Sequence, residues 1–381
     1  MFGTSKQKLV TDEGLINRAL ERRLESAGVF PNKEEAIRLL KSKSLRVYLG
    51  IDPTGPDIHL GHTIPLLFLK QLWELGHTPV IVIGDFTARI GDPTGKDSAR
   101  KPLSPEEIKE NSKNYLEQIY KIIPKGSFEV CHNSDWLDKL SFKDVVQLAS
   151  HVTVQQMIQR DMFQEHIKNE KPIGLHEFLY PLMQGYDSVA MEIDGEVGGN
   201  DQVFNMLVGR DLEKKLLKKD KLVFATRLLI DSASGKKMSK TEGELIALSD
   251  SPQEIRRKVL MADDSMTQTT FELCTEKYQE WIEENKNKSP REWKEELAQE
   301  LVRMYHGEDA VAEANQAKPS AAPGQIITDW MVETLRISKT EAKRLIDQGA
   351  VKVNGETKKD WNYEVNSGDK INVGKGEFFE A

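Results

Sequence analysis

Two neighbouring stretches decide the fold of this chain: residues 48–54, YLGIDPT, and residues 59–63, HLGHT. Residues 46–49 before the turn are apolar and β-prone, which is typical of a short buried strand. Two prolines and a glycine at residues 53–56 then prevent regular structure and predict a tight turn. From residue 61 to residue 73, apolar side chains recur at helical spacing. The predicted order is therefore strand, turn and helix, with two histidines at the helix start.

The start of this helix has the chemistry of a phosphate site. The first turn of a helix offers unpaired N–H groups and a partial positive charge. His59 and His62 can donate to phosphate oxygens, and Gly61 leaves room for a nucleotide to lie against the backbone. Two histidines at a helix start more often cap or pack than bind a nucleotide, so a second motif is needed to support a nucleotide site.

The second motif is residues 237–241, KMSKT, after the apolar run 222–230. Lys237 and Lys240 on a loop could hold the phosphates that leave when an α-phosphate is attacked. A lysine-rich loop alone is usually solvated surface. The two motifs in this order, however, resemble the paired signatures of class I aminoacyl-tRNA synthetases.

Composition limits the class of protein. The chain has 381 residues, of which 38% are hydrophobic and 30% charged, so we expect two or three soluble globular domains. No apolar run approaches the roughly 20 residues that span a bilayer, and residues 1–8 lack a signal-peptide core. Cys131 and Cys274 lack metal-ligand spacing, which predicts a reducing cytoplasm without disulfides or a zinc site. The net charge of −8 means that a nucleic acid would be met by local basic patches.

The order of elements predicts the fold class. A second apolar strand at residues 79–83 completes a strand–helix–strand unit, which indicates an α/β parallel sheet of the Rossmann type. We expect an all-α domain and a small α+β RNA-binding module after it. The resemblance implies these boundaries: a catalytic domain at 1–245, with a dimerisation and acceptor-stem region inserted at about 125–190; a helical anticodon-recognition domain at 246–314; a linker at 315–323; and an RNA-binding domain of the ribosomal-protein-S-four type at 324–381.

Several helices are predicted around the sheet, at residues 9–30, 105–122, 153–168, 175–191 and 204–221. The apolar stripe of helix 153–168 fits a core, with a subunit interface as the alternative. Helix 204–221 ends in a basic face, for which solvated surface is the default and an RNA contact the alternative. Its cations are Arg210, Lys214, Lys215, Lys218, Lys219 and Lys221.

The C-terminal segment predicts a compact helix-and-hairpin module. Helices are expected at 326–335 and 339–348, and Asn354-Gly355 is a strong hairpin signal. Lys339, Lys343 and Arg344 share one helix face and can follow a phosphate backbone. The alternative is a charged surface on a small α+β domain.

A polar stripe indicates the substrate. Tyr180, Gln184 and Asp187 share one face of a predicted helix among apolar neighbours. Buried polar groups cost free energy unless they are partnered, so this stripe is unusual for a core face; the alternative is a boundary helix. With Tyr48 and residues 198–202, GGNDQ, the pattern resembles the tyrosyl-tRNA synthetases of the bacterial type over nearly the whole chain.

The resemblance implies roles for the residues that match it. Tyr48 and Asp187 would hold the phenol hydroxyl of tyrosine. Three residues would bind the α-ammonium group: Asp92, Tyr180 and Gln184. Asp201 and Gln202 would lie beside the ribose and the reacting carboxylate.

The nucleotide would be held by residues from both motifs. The side chains expected to contact ATP are Thr54, His59 and His62. Those expected to bind the departing pyrophosphate are Lys96, Arg100, Lys237 and Lys240. Those expected to line the nucleotide are Gly50, Asp52, Gly61 and Gly198.

The implied reaction is ATP-dependent activation of L-tyrosine to tyrosyl-adenylate, followed by transfer to the 3′ end of tRNA(Tyr). Mg²⁺ is expected on the ATP phosphates, with no dedicated protein site. A homodimer is expected, with residues 153–168 as a candidate contact. Two alternatives stay open: a tryptophan-tRNA ligase, because residues 246–261 also resemble that group, and a tRNA-binding relative without catalysis.

Overall fold

A computed structural model describes residues 7–91, 103–230, 245–316, 325–335, 337, 339–366, 368–374 and 377–380. The chain divides into two compact units, one of Met1–Ser249 with Gln268–Asn287, and one of Asp250–Thr267 with Lys288–Ala381. The domain boundaries given above stay a prediction. No helix in the described part of the chain is long and apolar enough to cross a membrane.

The first unit is built on a six-stranded sheet. Its strands are β1 (Leu24–Phe30), β2 (Arg46–Ile51), β3 (Thr78–Ile83), β4 (Glu129–His132), β5 (Gly195–Gly199) and β6 (Leu222–Thr226). The spatial order is β1-β6-β5-β2-β3-β4, and β1 alone pairs antiparallel, with β6. This α/β sheet with a parallel core confirms the predicted fold class, and β2 lies between β5 and β3.

Helices cover this sheet and fill the connections. They are α1 (Glu13–Arg22), α2 (Lys33–Ser42), α3 (Leu60–Glu74), α4 (Thr87–Ile90), α5 (Pro105–Ile119), α6 (Ser134–Leu137), α7 (Phe142–Ala149), α8 (Val154–Met157), α9 (Asp161–Lys168), α10 (Tyr180–Met191) and α11 (Val203–Leu217). Helix α3 buries side chains on most of its circumference, from Leu60 to Leu72, as expected for a helix that lies against the sheet. A capping box of Ser104 and Glu107 begins α5.

Several predicted helices were wrong in extent. Residues 9–30 form α1 and then strand β1, because the edge of β6 offers backbone partners to residues 24–30; a Cβ on Gly28 would lie 2.6 Å from the Ala225 carbonyl oxygen. The helix predicted at 153–168 is broken into α8 and α9. Residues 175–178 form a 3-10 turn before α10.

The helices after the sheet are α12 (Pro252–Met261), α13 (Met266–Cys274), α14 (Gln279–Asn285), α15 (Pro290–His306) and α16 (Glu308–Gln316). The prediction of an all-α segment after the lysine loop is therefore confirmed for the described residues. Ser251 and Ser289 cap α12 and α15 by accepting from the backbone N–H three residues on.

The C-terminal module has its own core. Its elements are β7 (Gln325–Ile326), α17 (Ile327–Leu335), α18 (Lys339–Asp347), β8 (Val351–Val353), β9 (Glu356–Thr357), β10 (Glu364–Val365), β11 (Lys370–Val373) and β12 (Glu377–Glu380). Trp330, Ile346 and Val351 are fully buried in it. Asn354 and Gly355 both have positive φ, 52° and 86°, and join β8 to β9 as the hairpin signal predicted.

Candidate active site

The turn after β2 is fixed by side chains of α5. Asn111 Nδ2 donates to the Pro53 carbonyl at 3.0 Å, and Gln118 Nε2 donates to the Pro56 carbonyl at 3.0 Å. Gln118 Oε1 also accepts from the Ile58 N–H at 2.8 Å. A segment that cannot form regular structure thus has its backbone groups satisfied, which gives the start of α3 a defined position.

The two histidines of the first motif cap α3, and their rings lie against each other at a tilt. His59 Nδ1 accepts from the Gly61 N–H at 3.2 Å, and His62 Nδ1 accepts from the His59 N–H at 3.3 Å. Their ring centroids are 3.9 Å apart. Because each Nδ1 is an acceptor, the proton of each neutral ring is on Nε2, which is the atom that can donate to a phosphate. A Cβ on Gly61 would lie 3.0 Å from His59 Cε1, so a larger residue would displace the ring.

The segment that follows the lysine motif forms backbone hydrogen bonds with the segment that carries these histidines. The Leu60 N–H donates to the Ile246 carbonyl at 3.0 Å, and the Leu248 N–H donates to the Ile58 carbonyl at 2.8 Å. Between them, His59 and Ala247 form an antiparallel bridge. Lys237 and Lys240 themselves lie outside the described residues, as do Asp92, Lys96 and Arg100.

A second cluster begins where β2 ends. The Tyr180 hydroxyl donates to Asp52 Oδ2 at 2.8 Å, and Thr87 Oγ1 donates to Asp52 Oδ1 at 2.7 Å. Gly84 makes this possible, because a Cβ there would lie 2.0 Å from Asp52 Oδ1. Asp52 therefore joins α10 to the carboxyl end of β3, where ligands of parallel sheets bind.

Asp187 lies at the other end of the same network. Its side chain is buried and accepts from Trp136 Nε1 at 2.7 Å and from Asn133 Nδ2 at 3.4 Å. Asn133 also donates to Thr87, which connects Asp187 to Asp52. Burial raises the pKa of Asp187 well above its usual value, although the two hydrogen bonds act in the opposite direction.

Tyr48 and Gln184 face each other beside Asp187. Tyr48 is fully buried on β2. Its hydroxyl lies 3.2 Å from Ser188 Oγ and donates to the main-chain carbonyl oxygen of Gln184 at 3.4 Å. Burial, together with the charges of Glu196 and Asp187, raises the pKa of Tyr48 well above 10, so its proton is retained. Gln184 Oε1 accepts from Asn205 Nδ2 at 2.9 Å.

Six of the predicted residues thus fall into two hydrogen-bonded sets. Tyr180, Asp52 and Asp187 are joined through Thr87 and Asn133. Tyr48, Gln184 and Gln202 are joined directly or through Asn205. The Thr54 N–H bonds to the Asp52 carbonyl at 2.8 Å, which places it at the same strand end. A Cβ on Gly50 would meet only Tyr48, at 3.8 Å, whereas one on Gly198 would lie 3.1 Å from Met206 Sδ. Gly50 thus leaves open space, and Gly198 allows α11 to pack closely on β5.

Sequence reasoning missed the residues that orient this cluster, namely Thr87, Asn133, Trp136, Ser188 and Glu196. A signal was available, because residues 133–136, NSDW, follow directly after a buried strand. Polar residues in that position are candidates for a ligand site.

The prediction of a basic helix face at residues 210–221 is wrong for Lys221, which is neither in the helix nor at the surface. Helix α11 ends at Leu217, and Lys221 is fully buried, with its ammonium paired to Glu196. Arg210 and Lys214 pair with Asp220, so they are surface cations with a local partner.

A cavity of about 450 Å³ lies between α5 and β4, and its wall does not include the polar stripe of Tyr180, Gln184 and Asp187. Its wall includes Asp85 and His132, whose Nδ1 lies 3.2 Å from Asp85 Oδ2. Burial opposes ionisation of Asp85, but hydrogen bonds from His132 and Ser134 outweigh it and lower its pKa to about 2.

This fold and these residues agree with a known family. A family model of class I tRNA synthetases for tryptophan and tyrosine (W and Y) matches residues 40–320, and an S4 domain model matches residues 329–371. The chain belongs to this class I tRNA synthetase family.

Its curated relatives narrow the family further. The chain is 41% identical to the tyrosine–tRNA ligase of Carboxydothermus hydrogenoformans, over 95% of this chain and 98% of the relative. It is 40% identical to the tyrosine–tRNA ligase of Thermotoga maritima, over 91% and 93% of the two chains. The crystal structure of the Archaeoglobus fulgidus tyrosyl-tRNA synthetase with L-tyrosine has the same fold, with a TM-score of 0.63, 21% identity and coverage of 80% of this chain and 99% of that one.

Proposed function

We propose that this protein is a tyrosine–tRNA ligase, which activates L-tyrosine with ATP and transfers it to the 3′ end of tRNA(Tyr) in protein synthesis. The observation that carries the proposal is a group of buried or half-buried polar side chains on α10 and on β2, the strand that precedes the histidines of α3. They include Tyr48 and Asp187, which would hold the phenol hydroxyl, and Gln184, which would bind the α-ammonium group. Relatives about 40% identical are tyrosine–tRNA ligases.

The phenol end of tyrosine would lie between Tyr48 and Asp187. A site built from buried hydrogen-bonding groups rejects an analogue without the hydroxyl, because those groups would be left unpaired. Discrimination against phenylalanine of about 10⁵-fold is the general magnitude for this class of enzyme, and the distances in this pocket do not by themselves set it. Asp92, Tyr180 and Gln184 would bind the α-ammonium group, with Asp52 holding the Tyr180 hydroxyl.

The nucleotide would lie at the start of α3. A carboxylate oxygen of tyrosine attacks the α-phosphorus of ATP, the bond to the bridging oxygen breaks, and pyrophosphate leaves. The Nε2 atoms of His59 and His62 would donate to phosphate oxygens, while Lys96, Arg100, Lys237 and Lys240 would stabilise the charge on pyrophosphate. Catalysis then consists of positioning and electrostatic stabilisation, with no protein nucleophile.

The remaining contacts of ATP follow from the same placement. Thr54 would reach the phosphates, and Asp201 and Gln202 would lie near the ribose and the reacting carboxylate. The nucleotide would lie against the backbone at Gly50, Asp52, Gly61 and Gly198. The open space above Gly50 supports this arrangement.

Mg²⁺ would bind to the ATP phosphates. Among the described residues, no three histidine, cysteine or carboxylate side chains are grouped as metal ligands. We propose that the ion is carried by the nucleotide, where it neutralises phosphate charge. The protein's part is to hold the phosphates at the histidines and lysines.

Transfer RNA would be the second substrate, and the S4-like module would contribute to its binding. Lys343 lies 4.6 Å from the Trp361 ring, and no ion pair to it is found in the described module. Lys339 and Arg344 are paired with Asp329 and Glu341. Lys343 is therefore the cation of the predicted face that is best placed to meet a phosphate.

A homodimer is part of the proposal. Apolar side chains are exposed along and beside residues 153–168, where solvent exposure is otherwise costly. The exposed fractions are 84% for Phe142, 54% for Val146, 66% for Val154, 50% for Ile167 and 79% for Leu175. We also propose a cytoplasmic location, supported by two free thiols at Cys131 and Cys274.

Exchange of labelled pyrophosphate into ATP tests the function with each of the twenty amino acids. Exchange with tyrosine is expected. Exchange with tryptophan instead would favour the alternative tryptophan-tRNA ligase. Binding of tRNA without exchange for any amino acid would identify a non-catalytic relative and contradict the proposal.

A further inference from the structure

An ion pair is buried next to the tyrosine pocket. Lys221, directly before β6, and Glu196, on β5, are 0% and 2% exposed, and the Lys221 ammonium contacts Glu196 Oε2. The ammonium occupies the space left by a glycine of α11, since a Cβ on Gly209 would lie 2.7 Å from Lys221 Nζ. The close packing of α10 on α11 at Gly185 and Gly209 encloses it.

Each member of this pair contacts a pocket residue through a hydrogen bond. Lys221 Nζ also donates to Ser188 Oγ, and Ser188 Oγ lies 3.2 Å from the Tyr48 hydroxyl. Glu196 Oε1 accepts from Gln184 Nε2 at 3.1 Å. Lys221 Nζ is 5.6 Å from the centre of the Tyr48 ring.

The chemistry of these groups fixes the direction of the hydrogen bonds. An ammonium group can only donate, so Ser188 Oγ is an acceptor towards Lys221. The Ser188 proton is then available for the Tyr48 oxygen. If Ser188 donates to Tyr48, the Tyr48 proton is directed away from Ser188. In this structure Tyr48 donates it to the Gln184 main-chain carbonyl oxygen over 3.4 Å, a long hydrogen bond that a ligand oxygen can replace.

The other end of the pair orders an amide. Because Glu196 accepts from Gln184 Nε2, the other side-chain atom of the amide, Gln184 Oε1, is on the opposite side, where it accepts from Asn205. An oxygen in that position can also accept from a ligand ammonium, since a carbonyl oxygen has two lone pairs.

Stability alone does not explain this pair. Replacing a buried ion pair by apolar residues is often neutral or stabilising, because desolvation of both charges offsets their attraction. Here the hydrogen bonds that leave the pair run to Ser188 and Gln184. The pair thus acts on the geometry of the pocket.

We propose that Lys221 and Glu196 are positioning residues for tyrosine: Lys221 acts through Ser188 to direct the Tyr48 proton at the substrate phenol oxygen, and Glu196 holds the Gln184 amide with its oxygen towards the substrate ammonium. The inference rests on the proposed function and concerns selectivity for tyrosine. Ser188, Lys221 and Glu196 make no contact with substrate themselves.

The test is the ratio of kcat/KM for tyrosine to kcat/KM for phenylalanine in pyrophosphate exchange. Ser188→Ala removes the link between Lys221 and Tyr48, and the ratio is expected to fall about tenfold, the usual effect of one lost hydrogen bond. The KM for ATP is expected to stay within about twofold. A purely structural role would instead lower both amino-acid reactions and ATP use together.

A second variant neutralises both members of the pair together, while the nearby buried Glu213 keeps the Lys219 ammonium 4.0 Å away. Lys221→Met with Glu196→Gln is expected to fold and to show the same loss of ratio, with a raised KM for tyrosine. Controls are Ser112→Ala, a buried serine bonded within α5, and Lys258→Met with Asp250→Asn, a largely buried pair in the other unit. Both controls are expected to keep the wild-type ratio.

An unchanged ratio in both Ser188→Ala and the double variant would overturn the inference while the proposed function stands. Absence of tyrosine-dependent exchange in the wild-type protein would overturn the proposed function and this inference with it. The two failures are therefore distinguishable by the wild-type measurement.

Discussion

The hydroxyl of Tyr180 donates to Asp52 at 2.8 Å, across 128 positions of sequence. This bond joins the first turn of α10 to the end of β2. Because α10 also carries Gln184 and Asp187, the bond helps to fix the position of these side chains relative to the end of β2.

Tyr180→Phe is expected to raise the KM for tyrosine about 10- to 100-fold, because a hydrogen bond to a carboxylate contributes roughly 1.5–3 kcal/mol. Pyrophosphate exchange at varied tyrosine concentration measures it. Tyr186→Phe, in the same helix, is the control and should behave as wild type. Equal effects of the two variants would show that Tyr180 has no special role.

Asp187→Ala is expected to abolish tyrosine binding while ATP binding is retained. The carboxyl is buried and held by Trp136 and Asn133, so it is fixed in place for a ligand hydroxyl. Titration calorimetry with each ligand separates the two affinities. If both affinities fall by the same factor, Asp187 does not bind the phenol.

Glu213→Gln is expected to stabilise the protein at pH 8. Glu213 is fully buried, neither carboxylate oxygen has a hydrogen-bond partner among the described residues, and burial raises its pKa to about 7. A raised carboxyl pKa costs stability once the pH exceeds its unfolded value near 4.5, and the cost is complete above pH 7. The variant lacks this cost.

The expected gain at pH 8 is about 1–3 kcal/mol, seen as a rise in Tm of a few degrees that narrows as the pH falls to 5. Thermal unfolding at both pH values measures it. Glu254→Gln is the control. It is expected to lower the stability at pH 8, because hydrogen bonding to Arg257 lowers the pKa of Glu254 and so stabilises the folded protein. A gain for Glu213→Gln that does not depend on pH would contradict the explanation.

Deletion of residues 324–381 is expected to spare adenylate formation and to weaken transfer of tyrosine to tRNA. The module has a separate core, so its removal leaves the sheet intact. Within the full chain, Lys343→Ala is expected to weaken tRNA binding and to reduce the slope of log K against log salt by about one. Unchanged aminoacylation after the deletion would remove the RNA role of the module.

Val154→Asp is expected to shift the protein from dimer to monomer at micromolar concentration, because a buried carboxylate in an interface has no partner. Sedimentation velocity measures the change. Leu15→Asp, at a side chain 46% exposed on α1, is the matched control. A wild-type protein that sediments as a monomer would remove the dimer from the proposal.

Local patterns predicted the elements around the first motif well. The apolar run of β2, the prolines of the turn and the helical spacing of α3 act over a few residues. Strand β1 was missed because residues 24–30 carry no strand pattern of their own. It forms because β6 offers a partner about 200 positions away, and long-range pairing of this kind overrides local propensity.

In the candidate site, too, local patterns predicted some residues, and others were brought together only by the packing of distant segments. Tyr180, Gln184 and Asp187 share a helix, so their spacing revealed them. Asn133 and Trp136 reach Asp187 only because β3 and β4 are neighbours in the sheet. Lys221 looked like one more cation of a basic run, and only the packing of α10 on α11 shows that it is buried.

The backbone pairing of Ile58 and Leu60 with Ile246 and Leu248 has a consequence for protein engineering. One extra residue between Leu245 and Leu248 would shift the register of this short pairing and turn the side chains within it to the opposite side. Grafted loops from other synthetases should therefore keep these four positions and vary in length only upstream of Leu245.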